Sequence, residues 1–316
     1  MPENQREVVT GDVTVAATAD AAYATVADLS SWPQFHPPAV HAEVLRRDPG
    51  GTLVRHWAVT GRASARTWQA RWEFDPAARR IRFSHETPPA PLSTLEGEWV
   101  FADEHEGTCR ATLSHTLTYP PGDEARVRDL VRGIARNTEE LLQTARDTAA
   151  RREELRSLVI TFEDTVFIAG SVHDAYTFLY DAAAWPDRLP HVARLELEEP
   201  TPGIQFFDMD TKAPDGSTHT TRSVRVCRAP HLIVYKQTVT PALLDAHTGR
   251  WSFVETPEGV LASARHTATI KRSALGLLGV GTTVRDARRY LRKALSTHSV
   301  RNLQLAKEYA EERAGD

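Results

Sequence analysis

Residues 30–37 read SSWPQFHP and residues 183–191 read AAWPDRLPH: Trp-Pro, a short step, and Pro again, twice in one chain. Placing Trp32 over Trp185 brings further matches into the same order. Tyr23 falls on Tyr176, Trp99 on Trp251 (LEGEWVF against HTGRWSF), His115 on His266 (LSHTLTY against ARHTATI), and Arg136-Asn137 on Arg301-Asn302. Strand-like runs, DVTVAATA and DTVFIAGS, lie ahead of the two tyrosines. Chance explains one such pair but not five in one order. The repeat, at roughly 150 residues, is far too long for a solenoid. The chain is expected to hold two copies of one domain, at 1–150 and 157–316, and its 316 residues exceed what one core usually supports. The join falls in the charged TAARREELRS, which also reads as an extension of the helix before it.

Each copy has one coarse plan. A strand is followed by a short helical stretch (19–28; 172–183) that Trp-Pro should break, because the residue before proline is pushed out of the helical region. Alternating segments punctuated by Gly, Pro and Asp come next. In RTWQARWEFD, Trp68, Trp72 and Phe74 share one face, and Gln69, Arg71 and Glu73 share the other. A long amphipathic helix closes each copy. Its apolar stripe is read as Val127, Leu130, Val131, Ile134, Leu141, Leu142 and Ala145 in the first. In the second it is read as Val284, Ala287, Leu291, Leu295, His298, Asn302, Leu305 and Tyr309. Glu124 and Asp286 suit the two helix N-termini. The fold class is therefore α+β: a curved antiparallel sheet wrapped on a long helix, with a cavity between them.

The totals exclude other classes. A net charge of −4 gives no reason to expect nucleic acid or membrane as a partner, and no apolar run is long enough for a membrane span. MPENQREVVTGD lacks the basic and apolar regions of a signal peptide. Cys109 and Cys227 fall in different halves and read as buried free thiols of a reducing cytoplasm, not as a disulfide or a metal site.

The Trp-Pro after the first helices, the hairpin FDPAARRIRF, the GEW strand and the terminal helix resemble the polyketide cyclase branch of the START-like, helix-grip superfamily. Two such domains in tandem resemble the di-domain aromatase/cyclases of bacterial type II polyketide synthases. The resemblance implies cyclisation of a poly-β-ketone held on an acyl carrier protein, with other synthase subunits as partners. Aldol closure of the first ring between C7 and C12, or aromatisation of a ring already closed, would be the reaction. Binding without chemistry is the alternative, since the same cavity fold also carries lipids and aromatic ligands.

An intramolecular aldol and dehydration needs proton transfer near neutral pH, a donor for the developing oxyanion and a shaped pocket, and no metal or organic cofactor. His115 and His266, repeated in strands next to the terminal helices, are the candidate acid/base groups. A strand arginine binds a substrate carbonyl in the family. The gapless alignment from Trp99 and Trp251 favours Arg222, on the Val224 and Val226 face, and a one-residue gap at the hairpin favours Arg225. In the first half Arg66 shares the Trp68 face, and the bulk of Trp68 and Trp72 stands where charge is expected. That assigns the catalytic step to the second copy and gripping to the first. Trp99 and Trp251 offer flat walls for a growing ring, and Asn137 and Asn302 a hydrogen bond to a substrate oxygen or a histidine. LGLLGVG (275–281) does not follow a nucleotide-binding glycine order and reads as an apolar lid. The basic RDARRYLRK (285–293) reads as a solvated helix face or as a dock for an acidic carrier protein.

Overall fold

The computed structural model describes residues 4–212 and 218–315. The chain divides into two compact units, Met1–Ala58 with Arg66–Glu153, and Val59–Ala65 with Glu154–Asp316. The first unit is built from β1 (Gln5–Val15), α1 (Ala19–Ala27), α2 (Trp32–Phe35), β2 (Ala39–Asp48), β3 (Gly51–Gly61), β4 (Ser64–Asp75), β5 (Arg80–His85), β6 (Thr94–His105), β7 (Thr108–Tyr119) and α3 (Glu124–Ala150). A short α4 (Arg152–Leu158) follows the break at Arg151. The second unit repeats the order with β8 (Val159–Ile168), α5 (Val172–Tyr180), α6 (Trp185–Arg188), β9 (Val192–Thr201), β10 (Ile204–Lys212), β11 (Thr218–Arg228), β12 (Leu232–Val239), β13 (Leu244–Thr256), β14 (Gly259–Ile270) and α7 (Val284–Ala314). Both sheets have seven strands in the same order, β1-β7-β6-β5-β4-β3-β2 and β8-β14-β13-β12-β11-β10-β9. Each packs one face on its long helix. In the first unit Leu113 and Ala111 meet Leu142 and Ala145. In the second Ala262 and Ala264 meet Leu303 and Ala306. These are tandem helix-grip domains.

Two details differ from the sequence reading. Trp-Pro does not simply stop a helix: Trp32 and Trp185 each open a one-turn helix with proline at its start, and Trp185 itself has helical φ −62°, ψ −36°. Proline is tolerated there because its missing N–H would have been unpaired anyway. The buried stripe of α7 matches the reading only in part: Ala287, Leu291 and Asn302 are buried as expected, but in the C-terminal half the row that meets the sheet is made mostly of small residues. It runs Ser299, Leu303, Ala306, Ala310, and matches Thr138, Leu142, Ala145, Ala149 of α3 in spacing. Small side chains let the helix approach the sheet, while Leu305 and Tyr309 are only half-buried beside the core. In this register Asn302 corresponds to Leu141, and Asn137 to His298. The Arg-Asn repeat is one helical turn out of step. At the helix start, Thr283 and Asp286 form a reciprocal capping box, so Asp286 does more than face the dipole.

Candidate functional site

Cross-strand partners lie on the same face of a sheet, so the registers define one inward row in each unit. In the first it runs Trp72, Phe83, Gly97, His115, Val9. In the second it runs Arg225, Tyr235, Gly249, His266, Phe162. The glycine serves the same purpose in both. A Cβ on Gly97 would stand 2.1 Å from the Phe83 ring, and one on Gly249 would stand 2.3 Å from Tyr235 Oη. The bare backbone lets the aromatic side chain lean across to the histidine.

What it finds there differs. Phe83 meets His115 edge-on at 5.6 Å between centroids, and His115 Nδ1 is 3.1 Å from Thr138 Oγ1 of α3. Tyr235 Oη instead lies 2.8 Å from His266 Nδ1. His247 Nε2 approaches the same nitrogen at 3.1 Å, and His247 Nδ1 is 2.9 Å from Gln237 Oε1. His266 Nε2 is buried with no hydrogen-bond partner among the described residues, as is Asn302 Oδ1 on α7. Burial pushes both repeated histidines down to about 4. For His266 the Asp164 carboxylate works the other way and Arg292 reinforces burial. Both imidazoles are thus neutral near pH 7, and burial pushes the Tyr235 phenol up, so it keeps its proton. Asp164 is itself gripped by Arg292 at 2.7 and 2.6 Å and by Ser296 at 2.8 Å.

The two candidate arginines of β11 take opposite faces, and the inward one is Arg225, not Arg222. Arg222 is on the sheet face opposite His266, three residues from Arg225 along β11, whose pairing with β10 is unbroken there. There it pairs with Asp208 and Glu198. The hairpins explain the slip. Four residues (76–79) separate paired Asp75 and Arg80, whereas three (229–231) separate Arg228 and Leu232. A one-residue difference reverses every side chain before it. Arg225 is on the inward face but is already occupied. It donates to the Leu179 carbonyl at 2.8 Å and the Tyr180 carbonyl at 2.7 Å, and to Gln205 Oε1, with Trp185 and Phe207 over its plane. Those carbonyls are the unpaired end of α5, so the guanidinium caps the helix from inside.

The first unit presents rings instead. Trp72 Nε1 donates to His56 Nε2 at 3.0 Å. His56, Trp68 and His85 lie in near-parallel layers, 5.1 and 6.3 Å apart. Arg66 covers the Trp68 ring at 4.6 Å. Burial lowers His56 to about 3 and His85 to about 4. Trp99 and Trp251 are core residues, Trp99 stacked on Phe101. Asn137 is half-buried beside Thr138, and Thr138 takes the contact with the histidine. Of the segments outside the rows, LGLLGVG turns Leu277 outward and packs Leu275 and Leu278 on the core. In RDARRYLRK, Arg288 bonds the Ser157 and Val159 carbonyls, Arg289 pairs with Asp286 and Arg292 with Asp164, so much of the charge is internally used. Sequence reasoning missed Tyr235, His247 and Gln237. Alternation in LIVYKQTV placed opposite Arg225 would have found the first. Among the described residues no group of three or more His, Cys, Asp or Glu is placed to hold a metal, and no helix is long and apolar enough to cross a membrane.

Two sheets that each grip a long helix, each with a buried strand histidine under that helix, define a duplicated helix-grip protein with a polar interior in its second copy. The family described as polyketide cyclase / dehydrase and lipid transport matches residues 6–149 and again 159–305, and the chain belongs to that family. It is 38% identical over 95% of its length to the granaticin polyketide synthase bifunctional cyclase/dehydratase of Streptomyces violaceoruber, covering 93% of that protein. The corresponding actinorhodin protein of Streptomyces coelicolor is 37% identical, with 90% of each chain covered. Among solved structures, the di-domain ARO/CYC StfQ of the steffimycin pathway superposes with a TM-score of 0.87 at 50% identity, over 98% of this chain and 100% of that one. The di-domain ARO/CYC BexL of the BE-7585A pathway gives 0.84 at 39%, over 96% and 99%.

Proposed function

We propose that the chain is an aromatase/cyclase that closes the first ring of a carrier-bound poly-β-ketone between C7 and C12 and dehydrates it. His266 Nε2 takes a proton from a methylene flanked by two ketones. The enolate carbon attacks the carbonyl that completes the six-membered ring, and the new alkoxide receives a proton from Tyr235 or from the His266 imidazolium. Loss of a second carbon-bound proton and of hydroxide, released as water, followed by enolisation of the remaining ring ketones, gives the aromatic ring. The phenol meets the oxyanion, and the layered rings of the first unit fit a role in holding planar portions of the chain. The observation that carries this reading is the buried, neutral His266, whose Nε2 has no partner among the described residues while its Nδ1 rests on the protonated Tyr235 phenol. The acyl carrier protein is the expected partner.

The test is reconstitution of a minimal polyketide synthase with its carrier protein, with and without this chain, and identification of the products. A shift from shunt products to one first-ring pattern is expected, with and without a ketoreductase identifying the reduced or unreduced substrate. An unchanged profile in both settings, with a ligand bound and returned intact, would favour the second reading. That reading is a carrier of aromatic or lipid ligands, and the ring-lined interior of the first unit is what supports it.

A further inference from the structure

His266 is tied to its neighbours through one nitrogen. Its ring and that of His247 are 5.4 Å apart between centroids, with planes 20° apart. With the nitrogens at 3.1 Å, that is the spacing of two imidazoles joined edge to edge by a single N–H···N bond. The next link decides which ring owns the proton. His247 Nδ1 faces the carboxamide oxygen of Gln237, which only accepts, so Nδ1 carries the hydrogen. Burial keeps His247 neutral, down to about 3, and a neutral imidazole has one N–H. His247 Nε2 is therefore a lone pair. If His266 Nδ1 were also bare, two lone pairs would face each other. An Nε2–H would then be buried without an acceptor as well.

We propose that Gln237 and His247 are positioning residues that hold His266 in its Nδ1–H tautomer, so that Nε2 presents a lone pair to the substrate. This rests on reading His266 as the proton-transfer group. When the substrate C–H bond breaks, its proton goes to Nε2 and its electron pair stays on carbon as the enolate. The imidazolium formed is stabilised through the His247 and Gln237 chain. Tyr235 Oη accepts a second share of the Nδ1–H, which leaves the phenol proton free for the developing oxyanion. Nothing comparable backs His115, whose Nδ1 meets only a threonine hydroxyl among its described contacts.

The test reads the tautomer directly. Full-length chain labelled with 15N at histidine is examined by two-bond proton–nitrogen correlation, and His266→Asn identifies the ring's signals. The wild type and Gln237→Glu, which can only accept, should show His266 protonated at Nδ1 and bare at Nε2. Gln237→Leu and His247→Phe should move the hydrogen to Nε2, because Tyr235 then donates to Nδ1. Cyclised product should fall about tenfold or more in Gln237→Leu and be largely kept in Gln237→Glu. A wild-type Nε2–H signal, as a reversed Gln237 amide would give, overturns the proposal. So does a tautomer indifferent to both Gln237→Leu and His247→Phe. If the tautomer is as stated and the wild-type chain leaves the product profile unchanged, the positioning role stands and the cyclase reading falls.

Discussion

The two units solve one backbone problem with different side chains. In the first, the Val26 carbonyl near the end of α1 is capped by the indole N–H of Trp32 at 3.0 Å, and Trp72 packs edge-on against that indole. In the second, Arg225 stands where Trp72 stood and caps the Leu179 and Tyr180 carbonyls, while Trp185 Nε1 has no partner among the described residues. The repeated Trp-Pro holds each tryptophan over that same inward position. One step along the row, Phe83 becomes Tyr235, and a histidine that meets a threonine becomes one that meets a phenol and a second histidine. The two copies share one backbone plan, and the inward row is aromatic in the first and polar in the second. Buried polar groups need partners, and in the second unit Gln205 serves Arg225 while His247 and Gln237 stand behind His266.

Substitutions can break this contrast. Arg225→Met should have the largest effect on stability. It keeps the bulk but leaves the α5 carbonyls and Gln205 without their donor, about 3 kcal/mol of loss by thermal or denaturant unfolding. Unchanged stability would mean the helix end is capped otherwise. Gly249→Ala should push Tyr235 off His266 and cost about 1–3 kcal/mol. Gly97→Ala should cost a similar amount by displacing Phe83, yet reduce cyclised product less, because no polar contact is lost.

Acidification should reveal the buried histidines of both units. Burial holds His56, His115, His247 and His266 down at about 3 to 4 in the fold, against 6.5 in the reference state. Between those limits the unfolded chain binds more protons. Stability is therefore complete above pH about 6.5 and falls as pH drops toward 4, by about 1.4 kcal/mol per pH unit for each group. A flat unfolding midpoint from pH 7 to 4.5 would contradict their burial. The smallest effect belongs to Arg222→Gln. On the far face of the sheet from His266, it should leave product yield within about twofold, the scale of a residue outside the site.

Much of this was legible in the sequence, and the failures share a cause. The repeat gave two domains of one plan, and His115 and His266 do take equivalent places, because strand registers near them carry no insertion. A gapless alignment points to Arg222 rather than Arg225 because hairpin length is invisible in it, and one residue inverts the face. The Arg-Asn dipeptide match pairs Asn137 with Asn302, but the spacing of small residues sets how α3 and α7 meet their sheets. Tyr235 and His247 went unnoticed because each matters only through a cross-strand neighbour, and such pairing is not written along the chain.

The most direct measurement compares His266→Ala with His115→Ala in the reconstituted synthase, with product yield and ring pattern read side by side. His266→Ala should lose roughly 10²-fold or more of the cyclised product, while His115→Ala should keep most of it with more shunt material. Equal losses from the two, or a larger loss from His115→Ala, would contradict the division between a gripping first domain and a reacting second one.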